Sequence, residues 1–171
     1  MSAPMPPVLD AWRMVTARRS FEGTFPLSAF PRLKQSLVDT EGNCRFQLEF
    51  GRDDLNLAYV EVRADAELPL LCQRTLERYL QPVSVVQRLG LITEEAQESA
   101  LPEEMEPLLV NEHGELRAID LIEDELILAL PVVPINPDSI EIEAEHWPEE
   151  FEVDEKPNPF AALAALKDRN K

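Results

Sequence analysis

Apolar and polar positions alternate strictly in two stretches of the chain. Cys44, Phe46, Leu48 and Phe50 are separated by Arg45, Gln47 and Glu49, and Ala58, Val60, Val62, Ala64, Ala66 and Leu68 enclose Glu61, Arg63, Asp65 and Glu67. A period of two sends successive side chains to opposite faces of a strand, so each stretch predicts a strand with one buried face. The intervening "GRDDLN" carries the Gly, Asp and Asn of a tight connection, which makes the pair an antiparallel hairpin. "LLCQRTLERYL" and "PVSVVQRLGLI" read as a second pair, "SFEGTFP" as a short aromatic strand, and residues 108–110 as another before a turn around Asn111 and Gly114. The fold class predicted is α+β: an antiparallel sheet of about four to six strands with a few packed helices.

Helical spacing appears in three places. In "LSAFPRLKQSL", Leu27, Phe30, Leu33 and Leu37 recur near a helical period, with Ser28 as N-cap and Pro31 in the first turn. In "DLIEDELILALP", Asp120 is placed to cap, Glu123 follows three residues on, and Pro131 supplies the stop. Ile122, Leu126, Ala129 and Leu130 form one stripe there, but Ile127 and Leu128 make the last turns apolar all round, which calls for deep burial or a partner. "TEEAQESALPEEMEP" is acidic and bounded by prolines, the pattern of a surface loop or weak helix. The final "PNPFAALAALKDRNK" offers Asn158 as cap, Pro159 at the first helical position, and Phe160, Leu163, Ala164 and Leu166 on one side. A helix this short needs something to fold against, in its own chain or in a partner. The expected organisation is a domain over 1–135, an acidic flexible linker over 136–157 and a short docking helix over 158–171.

Charge sharpens that division. Residues 1–88 hold 11 basic and 11 acidic side chains, residues 89–155 hold 1 and 21, and residues 156–171 hold 4 and 1. The middle stretch repels nucleic acid and attracts a basic partner, while the first half is free to present a basic face. The amino-terminal "MSAPMPPVLDAWRMV" has no signal-peptide pattern, and the longest apolar run, 126–135, is broken by Pro131 and Pro134. These features predict a soluble, cytoplasmic protein with reduced cysteines, no membrane contact and no DNA partner.

The chain carries no Gly-rich phosphate loop, nucleophile elbow, zinc-protease helix or Cys-x-x-Cys pair. His113 falls in a turn and His146 in the acidic tail, and neither has a ligand set around it. No enzymatic activity and no cofactor are therefore expected. Cys72 continues the apolar face of its predicted strand and reads first as a small buried hydrophobe. Arg18, Arg19, Arg32, Lys34, Arg45, Arg74, Arg78 and Arg88 are candidates for a nucleic-acid surface if the sheet gathers them.

Four blocks, "RRSFEGTF", "CQRTLERYLQPV", "LPEEMEPLLVNEHGELRAIDLIEDELILALPVVP" and "KPNPFAALAALK", in this order and spacing resemble the YceD family, its proteobacterial branch in particular. The resemblance covers nearly the whole chain. It implies a role in accumulation of 23S ribosomal RNA and biogenesis of the large ribosomal subunit. The partners it implies are that RNA or its precursor, a large-subunit ribosomal protein, or a processing enzyme. No catalytic chemistry comes with it. Many members carry Cys-x-Arg-Cys where this chain has Cys72, Arg74 and Thr75, with further cysteines after the ELILALP helix. A tetrahedral site takes about four ligands and this chain retains one, so Cys72 is read as the remnant of a metal motif with no zinc. From the matching blocks, Arg18, Arg19, Arg74 and Arg78 are the expected RNA contacts, and Phe160, Leu163 and Leu166 the expected protein-docking side chains.

Overall fold

A computed structural model describes residues 5–139. A short strand β1 (Leu9–Asp10) leads into helix α1 (Ala11–Thr16), which Asp10 caps by accepting a hydrogen bond from the Arg13 amide. Strands β2 (Ser20–Pro26), β3 (Asn43–Arg52), β4 (Ala58–Leu71), β5 (Arg78–Ile92) and β6 (Glu106–Leu109) form one sheet in that order. β7 (Glu115–Leu116) pairs with β1, and helix α2 (Ala118–Leu128) follows. The α+β class with a five-stranded sheet agrees with the sequence reading. The sheet is antiparallel except at its last pairing, where β6 runs parallel to β5 after a crossover through the turn Glu95–Ala100.

The alternation in β3 and β4 has the expected physical cause. Cys44, Phe46, Leu48 and Phe50 pair across the ladder with Ala66, Ala64, Val62 and Val60, all buried. α1 and α2 cover this face, and Leu9, Val15, Leu121, Ile122 and Leu126 complete the core beneath them. Burying a side chain of this size contributes about 1.5–3 kcal/mol, so the covered face holds the sheet and the helices together. Much of the opposite face is exposed, but Leu101 packs over Gly90 at one end, and Glu61 on this face is buried.

Three expectations are corrected. The apolar spacing from Leu27 to Leu37 does not make an α-helix: Leu27–Ala29 and Leu33–Gln35 are two separate 3-10 turns. Pro31 is the cause, because it lacks an amide donor and disfavours helical backbone at Phe30, which is extended. Leu27, Phe30 and Leu33 are nevertheless fully buried, so the spacing located core residues within the wrong element. Second, "LLCQRTLERYL" and "PVSVVQRLGLI" are not a pair of strands. The first spans the end of β4, a turn and the start of β5, while the second is the remainder of β5, paired with β4 from Leu71 and Arg78 back to Tyr59 and Gly90. Third, Asp120 does not cap α2. Arg117 occupies the N-cap without a side-chain bond, and Asp120 lies in the first turn, ion-paired to Arg117.

Glu123 replaces the expected helix cap with a tertiary one. Its side chain is buried, and its carboxylate accepts from the Arg32 amide at 2.6 Å, the Leu33 amide at 2.9 Å and Arg32 Nε at 3.0 Å. One carboxylate from α2 thereby satisfies two otherwise orphaned amides of the Leu33 turn.

Candidate nucleic-acid interface

The sheet does not gather the expected arginines. Arg18 and Arg19 lie between α1 and β2, and the Arg19 carbonyl accepts from the Phe50 amide at the end of β3. Arg74 and Arg78 lie at the β4–β5 turn. Eleven residues of β4 separate Val60, the partner of Phe50, from Leu71, the partner of Arg78. At roughly 3.3 Å per residue the two pairs stand about 36 Å apart.

Their charge environments also differ. Arg78 donates to both carboxylate oxygens of Asp39, at 2.6 and 3.4 Å, and also approaches Glu41. The Arg78 guanidinium holds the Asp39 carboxyl below its usual range. On the outer sheet face, Arg63 and Arg88 converge on Glu61 at 2.6 and 2.7 Å, and Arg88 also lies 4.6 Å above the Tyr59 ring. Hydrogen bonds from Arg88 and then Arg63 lower the Glu61 pKa. Arg32 is paired with Glu123 and Asp124.

Arg13, Arg18, Arg19, Arg45 and Arg52 make no ion pair with the described carboxylates, nor does Lys34. Arg18 and Arg19 lie where α1 ends and β2 begins, Arg13 lies on α1 just before them, and Arg52 ends β3, whose Phe50 amide donates to the Arg19 carbonyl. The Ala17 amide donates to the Arg13 carbonyl, the Arg18 amide to Val15 and the Arg19 amide to Met14, so the chain turns tightly through this point. Arg18 is at its apex with φ of 46°, a left-handed backbone uncommon for a residue with a side chain. Arg19 stands 5.8 Å above the Phe21 ring, which meets Phe50 edge-on at 6.3 Å. Arg52 ends β3 two residues after Phe50, whose amide donates to the Arg19 carbonyl, so Arg52 stands diagonal to Arg19. Sequence reasoning missed Arg13 and Arg52. Arg52 faces Ala58 across the ladder, a pairing that the chain does not spell out, and Arg13 lies on α1 with no strand partner.

At the other end, Cys72 is fully buried, and it follows β4 instead of lying within it. The Cys72 amide donates to Glu77, the Leu76 amide to the Cys72 carbonyl, and the Gln73 amide to Pro134 in the segment after α2. The Asn136 amide donates to Cys72 Sγ at 3.3 Å, and Ser139 Oγ lies 3.9 Å from that sulfur. The Thr75 hydroxyl first, then the Asn136 and Thr75 amides, lower the thiol to about 6. Cys44, lacking such donors, is raised to about 11 by burial and the Asp65 charge.

The metal motif that the resemblance implies for other members does not fit here. The structure brings residues 134–139 against the Cys72 turn, but the positions facing the sulfur are Thr75, Asn136 and Ser139. Among the described residues no group of three or more His, Cys, Asp or Glu could hold an ion. One thiolate with hydroxyl and amide donors is a hydrogen-bonded junction and not a tetrahedral ligand set. Phe160, Leu163 and Leu166 lie outside the described residues, as does the acidic stretch from 140 onward.

Among the described residues no helix is long and apolar enough to cross a membrane. No solved structure matches the chain. A protein of Haemophilus influenzae named large ribosomal RNA subunit accumulation protein YceD is 34% identical over 169 residues, covering 95% of this chain and 94% of that protein. The family model described as large ribosomal RNA subunit accumulation protein YceD matches residues 60–167. On both grounds the chain belongs to the YceD family, as its four sequence blocks had indicated.

Proposed function

We propose that this protein is a non-catalytic, cytoplasmic factor that supports accumulation of 23S ribosomal RNA and biogenesis of the large ribosomal subunit. The observation that carries this reading is the relative of nearly equal length, whose name states large ribosomal RNA subunit accumulation. Direct contact with the RNA or its precursor is the mode that the basic corner at Arg18 and Arg19 supports. It supplies exposed guanidinium groups that make no ion pair among the described residues.

A second reading is supported by the charge distribution. Residues 89–155 hold 21 acidic side chains and 1 basic one. Such a stretch suits an adaptor that holds a basic ribosomal protein or a processing enzyme without touching RNA, with Phe160, Leu163 and Leu166 as its docking side chains.

Crosslinking of the tagged protein in cells, with RNA and protein recovered from the same sample, separates the two. Enrichment of defined 23S rRNA segments is the expected result. Recovery of ribosomal proteins or processing enzymes without RNA, abolished by deletion of residues 158–171, would replace the first reading with the second.

A further inference from the structure

Resting on the RNA reading above, we propose that Arg13, Arg18, Arg19 and Arg52 form one phosphate-binding corner that takes the sugar-phosphate backbone of RNA, with Arg74 and Arg78 outside it. Arg13 and Arg52 become contacts that the sequence blocks did not suggest.

Four features carry the assignment. All four side chains are exposed and have no ion pair among the described residues, although Arg52 also donates to the Asn56 carbonyl at 2.8 Å, whereas Arg32, Arg63, Arg78, Arg88 and Arg117 each have an ion pair. The hydrogen-bonded turn from Arg13 to Arg19 orders three of them along one stretch of backbone, and the bond from the Phe50 amide to the Arg19 carbonyl brings the end of β3, with Arg52, alongside it. The Phe21 ring orients the Arg19 guanidinium while leaving its charge in place. The acidic neighbours are mostly engaged in hydrogen bonds of their own: Asp10 Oδ1 accepts from the Arg13 amide as the cap of α1, Asp53 Oδ1 accepts from the Leu55 and Leu57 amides of its own turn, and Glu49 accepts from Gln47. Asp54 is the remaining exposed carboxylate beside Arg52.

The partner class follows from charge and from the scarcity of apolar surface. With a formal charge of -17 the chain repels polyanions at a distance, so RNA binding requires a focal cluster such as this one. Leu55 is the exposed aliphatic side chain in the neighbouring turn, too little for the buried apolar anchor of a protein interface. A phosphate backbone needs no such anchor.

The test measures binding of the full-length chain to tiled fragments of precursor 23S rRNA across a salt series. Arg18→Gly suits the left-handed backbone at that position, so the double variant R18G/R52Q removes two charges without forcing the turn. Urea unfolding confirms that it is folded. The expected result is a loss of about ten-fold in affinity at low salt, with the slope of log affinity against log salt reduced by roughly 0.7–0.9 for each arginine removed. The variant R45Q, which lacks an unpaired arginine elsewhere on the sheet, should bind as the parent does. If the parent binds and R18G/R52Q matches it in affinity and slope, the corner is wrong while the RNA reading stands. If R45Q loses as much as R18G/R52Q, the attraction is diffuse and the corner is again wrong. If the parent binds none of the fragments, the RNA reading itself falls.

Discussion

The end of the sheet at Arg18 and the long hairpin of β4 and β5 carry the same side chain in opposite states. Along the hairpin each arginine with a described ion pair has its carboxylate nearby: Glu61 between Arg63 and Arg88, Asp39 beside Arg78. At the corner, the Phe50 amide donates to the Arg19 carbonyl and Arg52 faces Ala58, so an apolar residue stands where an acidic one would have supplied a partner. An arginine is therefore available for binding because of what lies across the ladder from it, and counting arginines along the chain cannot reveal this.

The sharpest way to break the contrast is to free the hairpin arginines. Replacing Glu61 by Ala leaves Arg63 and Arg88 side by side without their carboxylate. Stability should fall by about 1 kcal/mol, discounted because both guanidiniums are half-exposed, while RNA affinity rises. Urea unfolding and the fragment-binding assay read the two effects, and unchanged RNA affinity would show that ion pairing does not decide which arginines bind.

The Cys72 junction provides a smaller and pH-dependent effect. Its folded pKa of about 6 lies below the ordinary thiol value, so the thiolate favours the folded state. This contribution is fully present above the unfolded pKa, near 8.5, and is lost as pH falls through about 6. The stability difference between the parent and Cys72→Ala should therefore widen from pH 6 to pH 8.5. A difference that stays flat over that window would mean that the sulfur is not held as a thiolate. Cys44, raised to about 11, should show no thiolate absorbance across the same range.

The smallest effect is expected at the corner itself. Arg18→Gly relieves a left-handed residue and loses no ion pair, so its stability should remain within about 1 kcal/mol of the parent. A larger drop in the thermal midpoint would assign Arg18 a structural role and weaken the reading of the corner as a binding surface.

The sequence was legible where one physical requirement acted alone. β3 and β4 bury one face and wet the other, so their alternation could be read directly, and the sheet class followed from it. The turn between β4 and β5 was not legible because "CQRTLE" has no Gly, Pro or Asn. It closes with Leu76 at φ of 58° and is tied down by Pro134 and Asn136, more than 50 residues later in the chain. Leu27, Phe30 and Leu33 were recognised as core residues but assigned to a helix, because the same spacing serves two 3-10 turns on either side of Pro31. At the candidate site, Arg18 and Arg19 were within reach of the sequence. Arg52 joins them only through strand register, and Arg13 through the turn from α1 into β2.

The margins of the sheet bear on how the protein associates. Among the described residues β2 pairs with β3 alone, contains Gly23 and ends at Pro26, while β6 is four residues long and places Pro107 opposite Gly90. Proline withholds a backbone donor and a short edge offers few others, so neither border is a good template for an incoming strand. The architecture discourages open-ended strand addition between copies and leaves recognition to side chains.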